Sequence, residues 1–206
     1  MRREYCHAGG ELLDYQETTG GIMPTRPTLQ TDRLLLRPFS LDDSARVQEL
    51  AGEKEIAATT LNIPYPYEDG MAEAWIETHA ETFEKGESII FAIVLKQENM
   101  LIGAIGLTIN PTHNRGELGY WIGKTHWNNG YATEAGLTVL EHGFVQRKLN
   151  RITASHLSRN PASGKVMQKL KMTHEASFRK HVKKWDEYED LEMYGILRKE
   201  YMSPTT

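Results

Sequence analysis

The sequence predicts a mixed α/β layer, α+β in class: about four helices flanking a twisted, largely antiparallel central sheet of about seven strands. Three observations lead there. The apolar pattern alternates between strand-like runs and helical spacing in the order strand, helix, helix, three strands, helix, strand, helix, two strands. Two of the three consecutive strands are separated only by the polar turn Gln97-Glu98-Asn99. With 206 residues, 39% of them hydrophobic, the chain can bury one good-sized core, so a single domain is expected.

Leu34-Leu35-Leu36-Arg37 reads as the first strand, stopped by Pro38. Ser40 then caps a helix with Asp42 and Asp43 in its first turn and Ala45, Val47, Leu50 and Ala51 as its apolar positions. Residues 62–67 carry two prolines and form a loop. Met71, Trp75, Ile76, His79 and Phe83 mark a second helix over about 68–85. Apolar strands follow at 89–95, 101–109 and 116–122. Ala132, Ala135, Val139, Leu140 and Phe144 give one stripe on a helix from Tyr131 to about Gln146. A strand over 151–157 leads to Asn160-Pro161-Ala162-Ser163, an asparagine cap with proline at the first helical position, and that helix runs to about Leu170. Residues 178–183 and 190–197 form a terminal hairpin through Lys184-Trp185-Asp186-Glu187.

Composition narrows the function. A net charge of −4 with no run of five like charges argues against nucleic acid as a partner. No window approaches ~18 uninterrupted apolar residues, so no membrane span is expected. The single cysteine, Cys6, excludes an internal disulfide and suits a reducing cytoplasm. The eight histidines show no HExxH, and His174 and His181 would lie along one strand, so no metal is expected. The tryptophans are scattered over different elements and read as packing residues. The first 22 residues have no apolar core of a secretory signal and are broken by four glycines. Met23 follows a pair of glycine codons that would be purine-rich. Two readings stand: Met23 as the native start of a bacterial gene, or a short packing or disordered extension.

Chemistry points to residues 117–135. A strand-like run ending in Tyr120, Trp121 and Ile122 passes through Trp127, Asn128 and Asn129 into Gly130, where a helix opens with Tyr131, Ala132 and Thr133. A glycine loop at a helix start presents unpaired backbone N–H groups and the helix's partial positive charge, an anion site suited to phosphate. It fits neither GxxxxGK[ST] nor GxGxxG. The run Trp127-Asn128-Asn129-Gly130-Tyr131-Ala132 resembles the pyrophosphate loop of the GNAT superfamily of acetyl-CoA-dependent N-acetyltransferases. With Thr133-Glu134-Ala135 it is similar to the branch of the ribosomal-protein N-terminal acetyltransferases RimJ and RimL. The resemblance covers roughly 28–201, leaving 1–27 as an extension and 202–206 as a tail. It departs at Asn128, usually glycine in that branch, and at Asn129, where a basic residue is frequent. Backbone amides survive both changes, whereas a cationic phosphate contact from the loop does not. A further departure is Lys171-Met172, where Gly-Phe is common.

The resemblance implies the acyl-CoA N-acyltransferase fold and acetyl-CoA as co-substrate. It implies a pyrophosphate cradle at Trp127, Asn128, Asn129, Gly130, Tyr131, Ala132 and Thr133, and a bulge-splayed opening lined by residues from Gly119 through Trp121 to Ile122. It implies that Asn160 contacts the pantetheine arm and that Ser163 protonates the departing thiolate. Asn160 and Ser163 also read as ordinary helix-start chemistry. Glu117 is the candidate base, alongside the reading of a solvated strand-end carboxylate, and Tyr120 is a second candidate acid. The implied acceptor is a primary amine, either a protein N-terminus or a small molecule such as an amino sugar or polyamine. Its pocket is expected from the loop 61–67, the second helix and the terminal hairpin. Monomer and homodimer stay open, as does a non-catalytic acyl-CoA sensor on the same fold.

Overall fold

The structure, a computed structural model, describes residues 25–203; Met23, residues 1–22 and most of the tail lie outside the described residues. Among the described residues eight strands form one sheet: β1 (Leu29–Gln30), β2 (Leu34–Arg37), β3 (Ser88–Leu95), β4 (Met100–Asn110), β5 (Arg115–Ile122), β6 (Arg151–Leu157), β7 (Thr173–Lys184) and β8 (Glu187–Leu197). Six helices accompany them: α1 (Ser44–Ala51), α2 (Lys54–Thr59), α3 (Met71–Glu84), α4 (Tyr131–Glu141), α5 (Pro161–Lys169) and α6 (Arg198–Met202). The sheet order is β1-β2-β3-β4-β5-β6-β8-β7, and every neighbouring pair is antiparallel except β5 and β6.

The expected mixed α/β layer is what forms. The one strand and two helices beyond the expected numbers are short: two-residue β1, six-residue α2 and five-residue α6. The terminal hairpin is longer than its apolar pattern indicates. β7 starts at Thr173, five residues before Phe178, because it is an edge strand exposed along most of its length and shows no apolar alternation. Its lysines and two register shifts suit an edge that must not pair with another chain. α4 runs on to Gln146, but its last turn, His142–Gln146, widens to π geometry.

Two apolar clusters cover the two faces. Leu118, Ile122, Ala135, Val139, Leu140 and Phe144 belong to the one under α4 and α5. Val47, Leu50, Ala72, Ile76 and Ala104 belong to the one under α1 and α3. On this second face α1 packs against β4 and α3 against β3, with Trp121 of β5 at the edge of the cluster.

The missing glycine stop of α5 is resolved by strain rather than by different geometry. Lys171 takes the left-handed conformation, φ 62°. Its N–H donates to the Gln168 carbonyl and that of Met172 to the Met167 carbonyl, the paired bonds of a Schellman cap. Lys171→Gly should therefore raise unfolding free energy by about 0.5–1 kcal/mol, seen as a higher urea midpoint at constant slope. His79 on α3 is 2% exposed, lies edge-on to Phe39 and Trp75, and neither ring nitrogen has a partner among the described residues. Burial, helped by Arg26, pulls its pKa down to about 4. The unfolded chain binds the proton first, so stability should fall as pH drops from 6.5 toward 4, by about 3 kcal/mol. His79→Phe should flatten that part of a denaturation-versus-pH curve.

Candidate active site

The site is organised by an incomplete strand pairing. β5 and β6 are parallel, but only Arg115, Gly116 and Glu117 pair, with Arg151, Ile152 and Thr153. Past Glu117, β5 stays in register with β4 and β6 with β8, and the two halves part into a wedge-shaped opening. The expected bulge is absent from β5, which pairs with β4 without interruption over eight residues. The register shift in this half of the sheet lies at Ile102, opposite Ile93 and Val94. The opening is thus a divergence between two sub-sheets, each keeping its own twist, rather than an extra residue in one strand.

The glycine loop sits at one side of the opening. The N–H groups of residues 128–133 donate to no backbone or side-chain acceptor among the described residues, and they converge on the start of α4. Gly130 is the cap of that helix with φ 80°; a Cβ there would meet nothing nearer than Arg33, 3.7 Å away, so backbone conformation is what requires glycine. Asn128 is also left-handed, φ 63°. Asparagine is among the few side chains tolerated there, which explains how it can replace a glycine. The Asn129 amide folds back to donate to the carbonyls of His126 (3.2 Å) and Trp127 (3.0 Å). The Trp127 indole N–H donates to the carbonyl of Ile122 and pins the loop to the end of β5.

A cation missed by the sequence reading stands beside this loop. Arg33, at the entry to β2, donates to the Asn129 carbonyl at 3.1 Å, pairs with Glu134 at 2.6 Å, and lies 4.6 Å over the Tyr131 ring. Burial would raise the Glu134 pKa, but the hydrogen bonds from Thr31 and Arg33 outweigh it and hold the carboxyl below its usual range. No local pattern announces Arg33, since its partners lie about a hundred positions away.

Tyr120 and Ser163 are brought together across the opening. The Tyr120 hydroxyl lies 2.7 Å from Ser163 Oγ and 3.2 Å from the Ser163 carbonyl. Burial, opposed by the Ser163 hydrogen bond, pushes the phenol up to about 12, so at neutral pH it keeps its proton. Asn160 accepts from the Ser163 N–H at 3.4 Å and donates to the Thr59 carbonyl at 3.3 Å, joining the α5 start to the end of α2. Its side chain is therefore a helix cap and a brace at once.

Glu117 is not with them. Leu118, Tyr120 and Ile122 face the α4 cluster, whereas Trp121 packs toward the α1 and α3 cluster. Strand alternation puts Glu117 and Gly119 on Trp121's side. There Glu117 lies exposed in an open groove of about 540 Å³ with Thr108, Thr153 and Met193. A Cβ on Gly119 would meet nothing within 4 Å, so there is space beside the carboxylate at the mouth of the opening. On the same side Lys184, 5% exposed, donates to the carbonyls of Leu61 (3.2 Å) and Ile63 (2.7 Å), tying the terminal hairpin to the 61–67 loop. Burial, with Arg159, lowers its pKa. Among the described residues no cluster of three His, Cys, Asp or Glu side chains could hold a metal, and no helix is long and apolar enough to cross a membrane.

An amide cradle at a helix start, a parted strand pair and free space at its vertex fit a long thioester laid between two strands. The sequence pattern of the acetyltransferase (GNAT) domain matches residues 33–173. The chain belongs to the GNAT acetyltransferase family. It is therefore an N-acetyltransferase, with acetyl-CoA as its co-substrate. It is 31% identical over 176 residues to an uncharacterized N-acetyltransferase, p20, of Bacillus licheniformis, covering 84% of this chain and 98% of that one. Among solved structures, a GNAT-family acetyltransferase from Bacillus anthracis superposes with TM-score 0.76 at 26% identity, covering 84% of this chain and 100% of that one. RimL, the ribosomal L7/L12 α-N-protein acetyltransferase in complex with coenzyme A, gives TM-score 0.77 at 15% identity over 83% and 98%, a likeness of fold alone.

The loop geometry makes a prediction specific to this GNAT protein. Asn128→Gly should keep the thermal shift produced by acetyl-CoA, and Asn128→Val, which cannot adopt the left-handed backbone without strain, should lose most of it. At 100 times the dissociation constant the wild-type stabilisation should be about 2.7 kcal/mol.

Proposed function

We propose that this chain moves the acetyl group of acetyl-CoA to a primary amine by direct attack, the favoured acceptor being the N-terminal α-amine of a protein. The carrying observation is the parted β5–β6 pair, with a hydroxyl pair on one face and a free carboxylate on the other. The amides of residues 128–133, with Trp127 as loop anchor, would hold the pyrophosphate. Arg33 would supply the cation that Asn129 does not. Asn160 would steady the pantetheine arm, and the backbone from Gly119 to Ile122 would line it.

The proton accounting then has two ends. Glu117 takes a proton from the attacking amine, directly or through water. The amine nitrogen forms its bond to the carbonyl carbon, the C–S bond breaks, and Ser163 gives its hydroxyl proton to the sulfur. Tyr120, neutral and 2.7 Å away, is placed to restore that proton. No protein nucleophile is required. The open groove favours the end of a peptide, while an amino sugar or polyamine acceptor would use the same machinery. The single cysteine suits action in the cytoplasm, as monomer or homodimer.

Thiol release should depend on both acetyl-CoA and amine. Glu117→Gln should lower kcat/KM for the amine about a hundredfold while the acetyl-CoA thermal shift persists. Ser163→Ala and Tyr120→Phe should lower kcat about tenfold or more, and the double variant should fall little further if the two act as one relay. A coenzyme shift with no thiol release across a broad amine panel would instead identify an acyl-CoA sensor.

A further inference from the structure

The groove around Glu117 carries a charge arrangement that the acetyl-transfer chemistry does not use. Arg115 projects from the same face of β5 as Glu117, about 7 Å along the strand. Its register partner across the parallel pair is Arg151, so two guanidinium side chains start side by side at the closed end of the wedge. Arg151 is engaged in a bidentate pair with Glu175. Arg33, Arg37, Arg46 and Arg159 likewise each hold a carboxylate. Arg115 has no hydrogen-bond or ion-pair partner among the described residues.

The groove continues past Phe178, which lines both it and a second pocket at the β7 bulge, where Arg179 and Lys180 lie opposite Asp190. Four cations (Arg115, Arg151, Arg179 and Lys180) thus face three carboxylates, Glu117, Glu175 and Asp190, an excess of one positive charge carried by the unpartnered Arg115. The chain as a whole has net charge −4, so this local excess runs against the overall balance. Beside Arg115 a second cationic group on the acceptor would find no partner. An acceptor with a negative group beside its amine would find a base and a free guanidinium at matching separation.

We infer that the acceptor amine carries a carboxylate or similar anionic group within a few bonds, received by Arg115 while Glu117 meets the amine. The inference rests on the acetyl-transfer reading of this site and narrows its substrate class. Arg115 is a specificity residue in this scheme, and Glu175 sets how much of the neighbouring positive charge is left over.

Matched amines that differ only in one carboxylate test it: methionine against methioninamide, and the dipeptide amide serine–glutamate against serine–glutamine, with spermidine as the cationic contrast. Each is assayed for thiol release from acetyl-CoA and, independently of turnover, for calorimetric binding with and without coenzyme A. The acid member of at least one pair should be favoured about tenfold or more in KM or affinity. Which pair shows it separates a small amino acid from a peptide with an acidic second residue. Arg115→Gln should bring that ratio close to one, and Glu175→Gln should widen it. Equal or reversed preference in both pairs, in turnover and in binding, overturns the inference, as does a preference for spermidine over both acids. A wild-type protein with no acetyl-CoA thermal shift would overturn the acetyl-transfer reading instead, a result distinct from a normal shift without acid preference.

Discussion

β6 cannot lie against two strands that twist away from each other, and the rest of the molecule is arranged around that constraint. It pairs with β8 over all seven of its residues and with β5 over three, while β5 pairs with β4 over eight. The backbone groups that would have joined β5 to β6 are left facing an opening. What holds the two halves together near that opening is side-chain bonding: Tyr120 to Ser163 on one face, and Asn160 to Thr59 and Lys184 to Leu61 and Ile63 toward the other. A fully closed sheet would be better bonded, but it would leave no place for a thioester.

The same divergence would separate the two proton transfers proposed for this site. Alternation along β5 turns Glu117 and Tyr120 to opposite faces three residues apart, so a phenol and a carboxylate flank the vertex without meeting each other. The Tyr120 side is shielded, which raises the phenol, and the Glu117 side lies in an open groove. One strand thus carries two environments.

Much of this was legible in the sequence where the cause is local. The helix start at Asn160-Pro161, the strand over Arg151–Leu157 and the glycine loop all rest on neighbouring residues, and each forms as read. The departures at Asn128 and Lys171 were legible as departures, but only the positive φ angles show that asparagine and lysine have taken over a glycine's conformation. What stayed hidden depends on distance. Arg33 reaches the loop through tertiary contact, Arg115 and Arg151 meet only because a parallel pair sets them in register, and Lys184 reads only as the first residue of the hairpin's turn. The first residues of β7 were invisible because an edge strand needs no apolar face.

The Arg33–Glu134 pair has a bearing on how the glycine loop comes into being. Its partners are 101 positions apart, and between them lie every strand from β2 to β5 and three helices. Closing so long a loop costs entropy that only the finished sheet can offset. The glycine loop is therefore not an autonomous module that could be excised or transplanted with α4. It is complete only when the N-terminal strand has docked, and any circular permutation cutting between Thr31 and Leu34 would have to rebuild that clamp from a free chain end.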